Sequence, residues 1–322
     1  MAEFDLIDLI RARCAHARAD VRLGIGDDAA LLAVPIGQLL AVSTDTLVEG
    51  IHFPKNAPPA DLGWKALAVN LSDLAAMGAA PAWATLALTL PQADARWVEE
   101  FADGFAALAR EHDVALVGGD TTQGPLSVTV TVHGFVREKV ALRRACARVG
   151  DVVCVTGTLG DAAGGLRFLG ERQAAWEQGY AEQLRARLDR PTPRIAQGLI
   201  LAGRAHACID VSDGLVADLG HICRASGVGA EIDADVLPTS SSLSALFDRE
   251  VRHILQLSGG DDYELCFAAP EARIEKLLTD LARSGCAATR IGRIVADAGV
   301  RVHDSAGTSI EIPRAGWQHF GA

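Results

Sequence analysis

The sequence predicts a two-domain enzyme of mixed α/β (α+β) class, on three observations. At 322 residues the chain is long for one hydrophobic core and sufficient for two. Strand-like and helical stretches alternate through both halves. One junction recurs, in which a short apolar run meets glycines and then aspartate.

Residues 1–20 read as an amphipathic helix, with Phe4, Leu6, Ile7, Leu9 and Ile10 on or near one side. Strands are predicted at 37–45, 83–90, 115–117 and 126–136. In the last, Val128, Val130, Val132 and Gly134 alternate with Ser127, Thr129, Thr131 and His133. Helices are predicted over 62–77 and 96–112. A basic stretch from Arg137 to Arg148 leads into Gly150-Asp151, which places the boundary between domains of residues 1–148 and 149–322. The second half opens with a strand over 151–156, followed by helices near 161–170 and 173–188. A helix over 194–203, a strand over 207–211 and a helix from Gly214 to Ser226 come next. No solenoid-length repeat or low-complexity tract appears.

The net charge of −11 argues against nucleic acid as a partner. It is also unevenly distributed. Nine of the 41 acids are the motif aspartates Asp27, Asp28, Asp45, Asp73, Asp120, Asp210, Asp213, Asp261 and Asp262, without which the two signs nearly balance. The first residues carry acids where a signal peptide needs lysine or arginine, and the apolar runs are too short to span a bilayer. A cytoplasmic protein with no membrane partner is therefore expected. The seven cysteines are scattered without a C-x-x-C pair, as befits free thiols.

The recurring junction appears as Gly24-Ile25-Gly26-Asp27-Asp28, Gly118-Gly119-Asp120, Gly157-Thr158-Leu159-Gly160-Asp161 and Gly259-Gly260-Asp261-Asp262. Glycine lets backbone approach a ligand, and aspartate offers the hard oxygens that suit magnesium. Paired acids beside a phosphate make sense when a divalent cation lies between them. Ser43-Thr44-Asp45 at a strand end adds hydroxyls and a carboxylate, or serves only as a capping turn. Asp73 lies inside an otherwise apolar helix and needs a partner there, either a metal or Lys65. In Ile209-Asp210-Val211-Ser212-Asp213-Gly214, the two acids could share a cation and Ser212 could bond a nucleotide; a helix cap is the alternative. Arg144 is a candidate phosphate clamp, and His52 a candidate phosphate contact or a structural histidine. No G-x-x-x-x-G-K-[ST] and no H-R-D loop occurs, and only four lysines are present. Any ATP would therefore be handled through magnesium, glycine backbone and arginine.

Taken together, the segments 24–30, 43–53, 68–78, 116–122, 144–161, 209–215 and 258–265 resemble the thiamine-monophosphate kinases of the aminoimidazole ribonucleotide synthetase-like superfamily, in the family's order. The resemblance implies an N-terminal α/β domain whose strands help form a homodimer, and a C-terminal α/β domain. It also implies an active site in a cleft near the dimer interface, with ATP and thiamine monophosphate as substrates and several magnesium ions. Carried over by position, Asp28, Ser43, Thr44, Asp45, Asp73, Asp120, Asp210 and Asp213 are the implied magnesium ligands, with Asp27 adjacent. Gly119, Asp120, Arg144 and Ser212 are the implied ATP contacts, and His52, Asp261 and Trp317 the implied substrate contacts. Asp120, Asp213 and Arg144 are the implied catalytic group. The family often has glutamate where this chain has Asp261.

Competing readings are a selenophosphate synthetase, a hydrogenase maturation protein, an aminoimidazole ribonucleotide synthetase, a two-metal phosphohydrolase and a nucleotide sensor. The first lacks its reactive N-terminal cysteine loop, because Cys14 sits in a helical context. The second lacks its C-terminal cysteine, since the chain ends on Ala322.

Overall fold

The computed structural model describes residues 3–169, 175–312 and 315–317. The chain divides into two compact units: Met1–Leu74 with Ala79–Glu138, and Ala75–Gly78 with Lys139–Ala322.

The first unit runs α1 (Glu3–Arg13), β1 (Val21–Leu23), β2 (Leu31–Leu32), β3 (Leu39–Val48), α2 (Pro59–Ala76), β4 (Ala80–Leu90), α3 (Ala95–Glu111), β5 (Ala115–Gln123) and β6 (Ser127–Val136). Its main sheet has the order β3-β6-β4-β5 and is antiparallel except at the β4–β5 edge. Alternation along β6 buries Val128, Val130 and Val132. The helix α2 is apolar nearly all round and is buried along most of its length, as its composition predicts. Asp94 caps α3, its carboxylate accepting from the Trp97 N–H at 3.2 Å. The first helix ends at Arg13, well short of residue 20. Beyond it Arg18 is drawn into ion pairs with Asp20 and with Asp113, a partner remote in sequence.

The second unit runs β7 (Val152–Thr156), α4 (Asp161–Arg167), α5 (Ala175–Asp189), α6 (Ile195–Leu201), β8 (Ala207–Asp210), α7 (Leu215–Ser226), β9 (Gly229–Asp233), α8 (Ser241–Leu246), α9 (Arg249–Ser258), β10 (Leu265–Ala269), α10 (Glu271–Arg283), β11 (Ala288–Val295) and β12 (Gly299–His303). Six strands form one sheet in the order β12-β9-β11-β7-β10-β8, with β12–β9 the parallel pair. Strands β7 and β10 are buried at every residue, so they read as continuous apolar runs. The predicted helix end at Gly170 and helix start at Gln173 lie outside the described residues. Among the described residues no helix is long and apolar enough to cross a membrane.

Two of the four glycine–aspartate junctions follow a strand as expected, after β1 and β7. The other two do not. Strand β5 continues through Gly118, Gly119 and Asp120 to Gln123. Gly119 (φ +155°) lies so close to β4 that a Cβ there would collide with the Leu86 carbonyl. Here glycine permits strand packing and does not end the strand. At Gly259-Gly260 the preceding element is helix α9.

Candidate active site

In the first unit the candidate residues gather where β3 faces α2. Strand alternation puts Ser43 and Asp45 on one face of β3 and Thr44 on the other. The Ser43 hydroxyl donates to Asp73 Oδ2 at 2.5 Å, and the Asp45 N–H donates to Asn70 Oδ1 at 3.0 Å. Asn70 is itself oriented by donating to the Ala66 carbonyl at 2.9 Å. Burial, and then the nearby charge of Asp73, push the Asp45 carboxyl up to about 6. A strand and a helix thus hold two like-charged carboxylates close together, with a hydroxyl fixing one of them.

Thr44 and Asp120 lie on the opposite face of the sheet from this pair. The Thr44 hydroxyl meets the Thr131 hydroxyl at 2.9 Å on the exposed face. Asp120 lies on that same face, because the register runs Thr46–Thr129–Ala87–Asp120 in one row across the sheet. Three strand spacings, about 14 Å along the sheet, separate its strand from β3. Asp27 and Asp28 are exposed in the turn after β1, where the Asp28 N–H donates to Asp27 Oδ1 at 2.9 Å. His52 Nδ1 accepts the Val48 N–H at 2.9 Å, so the neutral ring carries its proton on Nε2 and presents a donor there.

In the second unit two loops are stitched together. Strand β8 ends on Asp210 (4% exposed) and the segment after it carries Ser212 and Asp213; the segment after α9 carries Asp261, Asp262 and Tyr263. The Asp261 N–H donates to the Ser212 carbonyl and the Tyr263 N–H to the Val211 carbonyl, both at 2.9 Å. Asp261 (φ 66°) and Tyr263 (φ 50°) both occupy the left-handed region, a strain that functional loops commonly hold. The Tyr263 hydroxyl donates to Asp261 Oδ1 at 3.0 Å and so orients that carboxylate. Gly214 (φ 132°) lets the first loop pass the second, since a Cβ there would lie 2.9 Å from the Ser258 carbonyl carbon.

Asp218, one turn into α7, accepts the N–H groups of Ser212, Asp213 and Gly214 on a single oxygen, each at 3.1 Å. Burial, and then Asp213, raise its carboxyl to about 7. The Trp317 N–H donates to the Asp213 carbonyl at 3.0 Å, and its half-exposed indole joins Asp213, His221 and Arg224 around a groove of about 870 Å³. Arg144 is exposed, and its carbonyl accepts from the Ser226 hydroxyl at 2.9 Å. Its charge is felt in that groove: burial, then Arg224, then Arg144 hold His221 below its ordinary value.

Among the described residues no three acidic, histidine or cysteine side chains converge as a ready-made metal cage. Magnesium does not need one. It keeps several waters and is held by one or two carboxylates together with substrate phosphates. Asp45 with Asp73, and Asp210 with Asp213, offer oxygen donors of that kind, so the residues present fit the ion.

Sequence reading missed Asn70, Asp218, Tyr263 and the buried Glu264. Asp218 carried a usable signal, an acid in the first turn of a helix that begins two residues after Asp213. Asn70 and Glu264 act through contacts between segments distant in sequence, and the Tyr263 hydroxyl through Asp261 two residues before it.

The AIR synthase related protein models match this chain, the N-terminal domain over residues 26–136 and the C-terminal domain over 148–305. The thiamine-monophosphate kinase of Salmonella typhimurium is 49% identical over 318 residues, covering 99% of this chain and 98% of that protein. The crystal structure of the thiamine-monophosphate kinase from Stenotrophomonas maltophilia superposes with a TM-score of 0.87 at 52% identity, over 96% of this chain and 98% of that one. AaThiL complexed with AMPPCP and TMP gives a TM-score of 0.78 at 34% identity, over 99% of this chain and 97% of that one.

Proposed function

The chain belongs to the thiamine-monophosphate kinases, within the AIR synthase related proteins, and from that premise we propose the parts its residues take in the reaction. The reaction is ATP-dependent transfer of a phosphoryl group to thiamine monophosphate, giving thiamine diphosphate and ADP.

The acceptor is a phosphate monoester whose second pKa is about 6, so it is already largely ionised near neutrality and no general base is required. The obstacle is repulsion between two anions. Magnesium, when bound, neutralises that charge and aligns donor and acceptor for in-line transfer. The observation that carries this reading is the Asp45–Asp73 pair, two carboxylates and a serine hydroxyl held together by β3 and α2.

Asp45 and Asp73 with Ser43, and Asp210 with Asp213, hold magnesium, with Asp27 and Asp28 supplementing them from their exposed turn. Asp120 serves a separate position on the other face of its sheet, beside Gly119. The Thr44 hydroxyl offers an oxygen donor on that same exposed face. Ser212 and Arg144 bind ATP; His52, through Nε2–H, and Asp261, oriented by Tyr263, bind thiamine monophosphate. Trp317 offers an aromatic face to a cationic ring. Asp213 and Arg144 bear directly on the transferring group.

The enzyme acts in the cytoplasm, where ATP is supplied, and as a homodimer. For the dimer the support is β3, an edge strand whose Leu39, Leu40 and Val42 are exposed.

The test is to incubate the purified protein with ATP, magnesium and thiamine monophosphate and resolve the products by chromatography. Thiamine diphosphate and ADP in equal amounts, lost on chelation, is the expected result. Phosphate release without a diphosphate product would sink the proposal.

A further inference from the structure

We propose that Asp218 is a positioning residue that turns the start of α7 from a phosphate cradle into a holder of cations, an inference that rests on Asp210, Ser212 and Asp213 forming the magnesium–ATP loop. Successive backbone N–H groups at the start of a helix are ordinarily an anion site, and a nucleotide phosphate would bind them directly. In this chain the N–H groups of Ser212, Asp213 and Gly214 are already taken, all three by Asp218 Oδ2 at 3.1 Å. Asp218 is 3% exposed, and its own N–H is bonded back to the Gly214 carbonyl at 3.0 Å, so the carboxylate is fixed over the loop.

Two consequences follow. The N–H groups of residues 212–214 are not left for phosphate, so the contact of this loop with a nucleotide passes through the Ser212 hydroxyl and what Asp210 and Asp213 hold. The three bonds also fix the backbone on either side of the Asp213 Cα, which sets the direction of that side chain. On its other side the loop is held by the Asp261 N–H on the Ser212 carbonyl and the Trp317 N–H on the Asp213 carbonyl. Asp218 supplies the remaining constraint, without itself touching substrate.

The test uses the full chain and the variants Asp218→Ala, Asp218→Asn and Asp213→Asn. Two readouts are independent of turnover: hydrogen exchange of the amides of residues 212–214 without metal, and calorimetric binding of AMPPCP with and without magnesium. In Asp218→Ala those amides are expected to exchange roughly tenfold faster or more. Magnesium-dependent AMPPCP affinity should fall between about 10- and 100-fold, the usual loss when a group supporting metal ligands is removed. Asp218→Asn keeps an acceptor oxygen and should fall between Ala and the native chain. In turnover, the KM for magnesium–ATP should rise while that for thiamine monophosphate stays within about twofold. If Asp218→Ala does not fold, the Asn variant carries the same comparison. Native exchange and native AMPPCP binding in a folded Asp218 variant, with binding impaired in Asp213→Asn, would overturn the inference alone. Native magnesium-dependent binding in Asp213→Asn as well would remove the reading beneath it.

Discussion

Asp45 and Asp73 show how a single side chain can serve stability and activity in opposite directions. Burial, and then repulsion from the nearby Asp73, hold Asp45 up near 6. Replacing Asp45 with Asn removes one charge and keeps an oxygen. Without metal, the variant should melt at or above the native temperature, while kcat/KM falls by roughly 10-fold or more. Calorimetry beside a rate assay checks both signs, and a variant that loses stability and rate together would refute the argument. The pair was partly legible in the sequence, since an acid inside an apolar helix and a Ser-Thr-Asp strand end both stand out. Period-two alternation places the Thr44 side chain on the opposite face of β3 from this pair. The placement of Asp120 was not legible, because its face depends on the register between β4 and β5, which shifts between Ala84 and Thr85.

Among the elements, the centre of the second sheet is held by a buried ion cluster. Glu264 is fully buried. It accepts from the Thr156 hydroxyl (2.7 Å), from Arg187 (2.7 Å) and in two-pronged fashion from Arg194 (2.6 and 2.5 Å). These bonds tie β7, α5 and the start of α6 to the residue that opens β10. Glu264→Gln leaves two guanidinium groups without their counter-charge and should cost about 3–5 kcal/mol, read by denaturant unfolding. A cost below about 1 kcal/mol would mean that solvent reaches the cluster. In the sequence, Glu264 read only as part of Asp-Tyr-Glu-Leu. Its partners lie 70 to 108 positions away, a pairing no local pattern announces. Most helices and strands, by contrast, were visible as apolar periodicity. The misplaced ends were those where a distant contact decided, as at Arg18 beyond α1.

For the whole molecule, stability should depend on pH through Asp262. Burial holds this carboxyl well above the ordinary 3.8, opposed by the Gly160 N–H it accepts at 2.8 Å and reinforced by Asp161. A folded-state value above the unfolded one means that the native chain binds more protons. The group's contribution is therefore most favourable below 3.8 and declines as the pH rises toward the folded value. Asp262→Asn removes that decline and should gain progressively on the native protein as the pH rises above about 4 in thermal unfolding. Parallel curves would refute it. A ligand bound only by the native state raises the melting temperature, so magnesium with AMPPCP is expected to raise it, an increase abolished by chelation.

The strand order of the second sheet also governs how the unit can form during synthesis. Strands β7 and β8 lie on either side of β10, so neither meets its shared neighbour until residues 265–269 have been made. At roughly 5–20 residues per second, a nascent chain spends several seconds or more with the wholly buried β7 waiting for that partner. Throughout that interval the emerging polypeptide is exposed to aggregation and to holding chaperones. A ribosome-bound chain stalled before Leu265 should therefore be protease-sensitive across this unit, and one stalled beyond the last strand, with all of it clear of the ribosome, should be resistant.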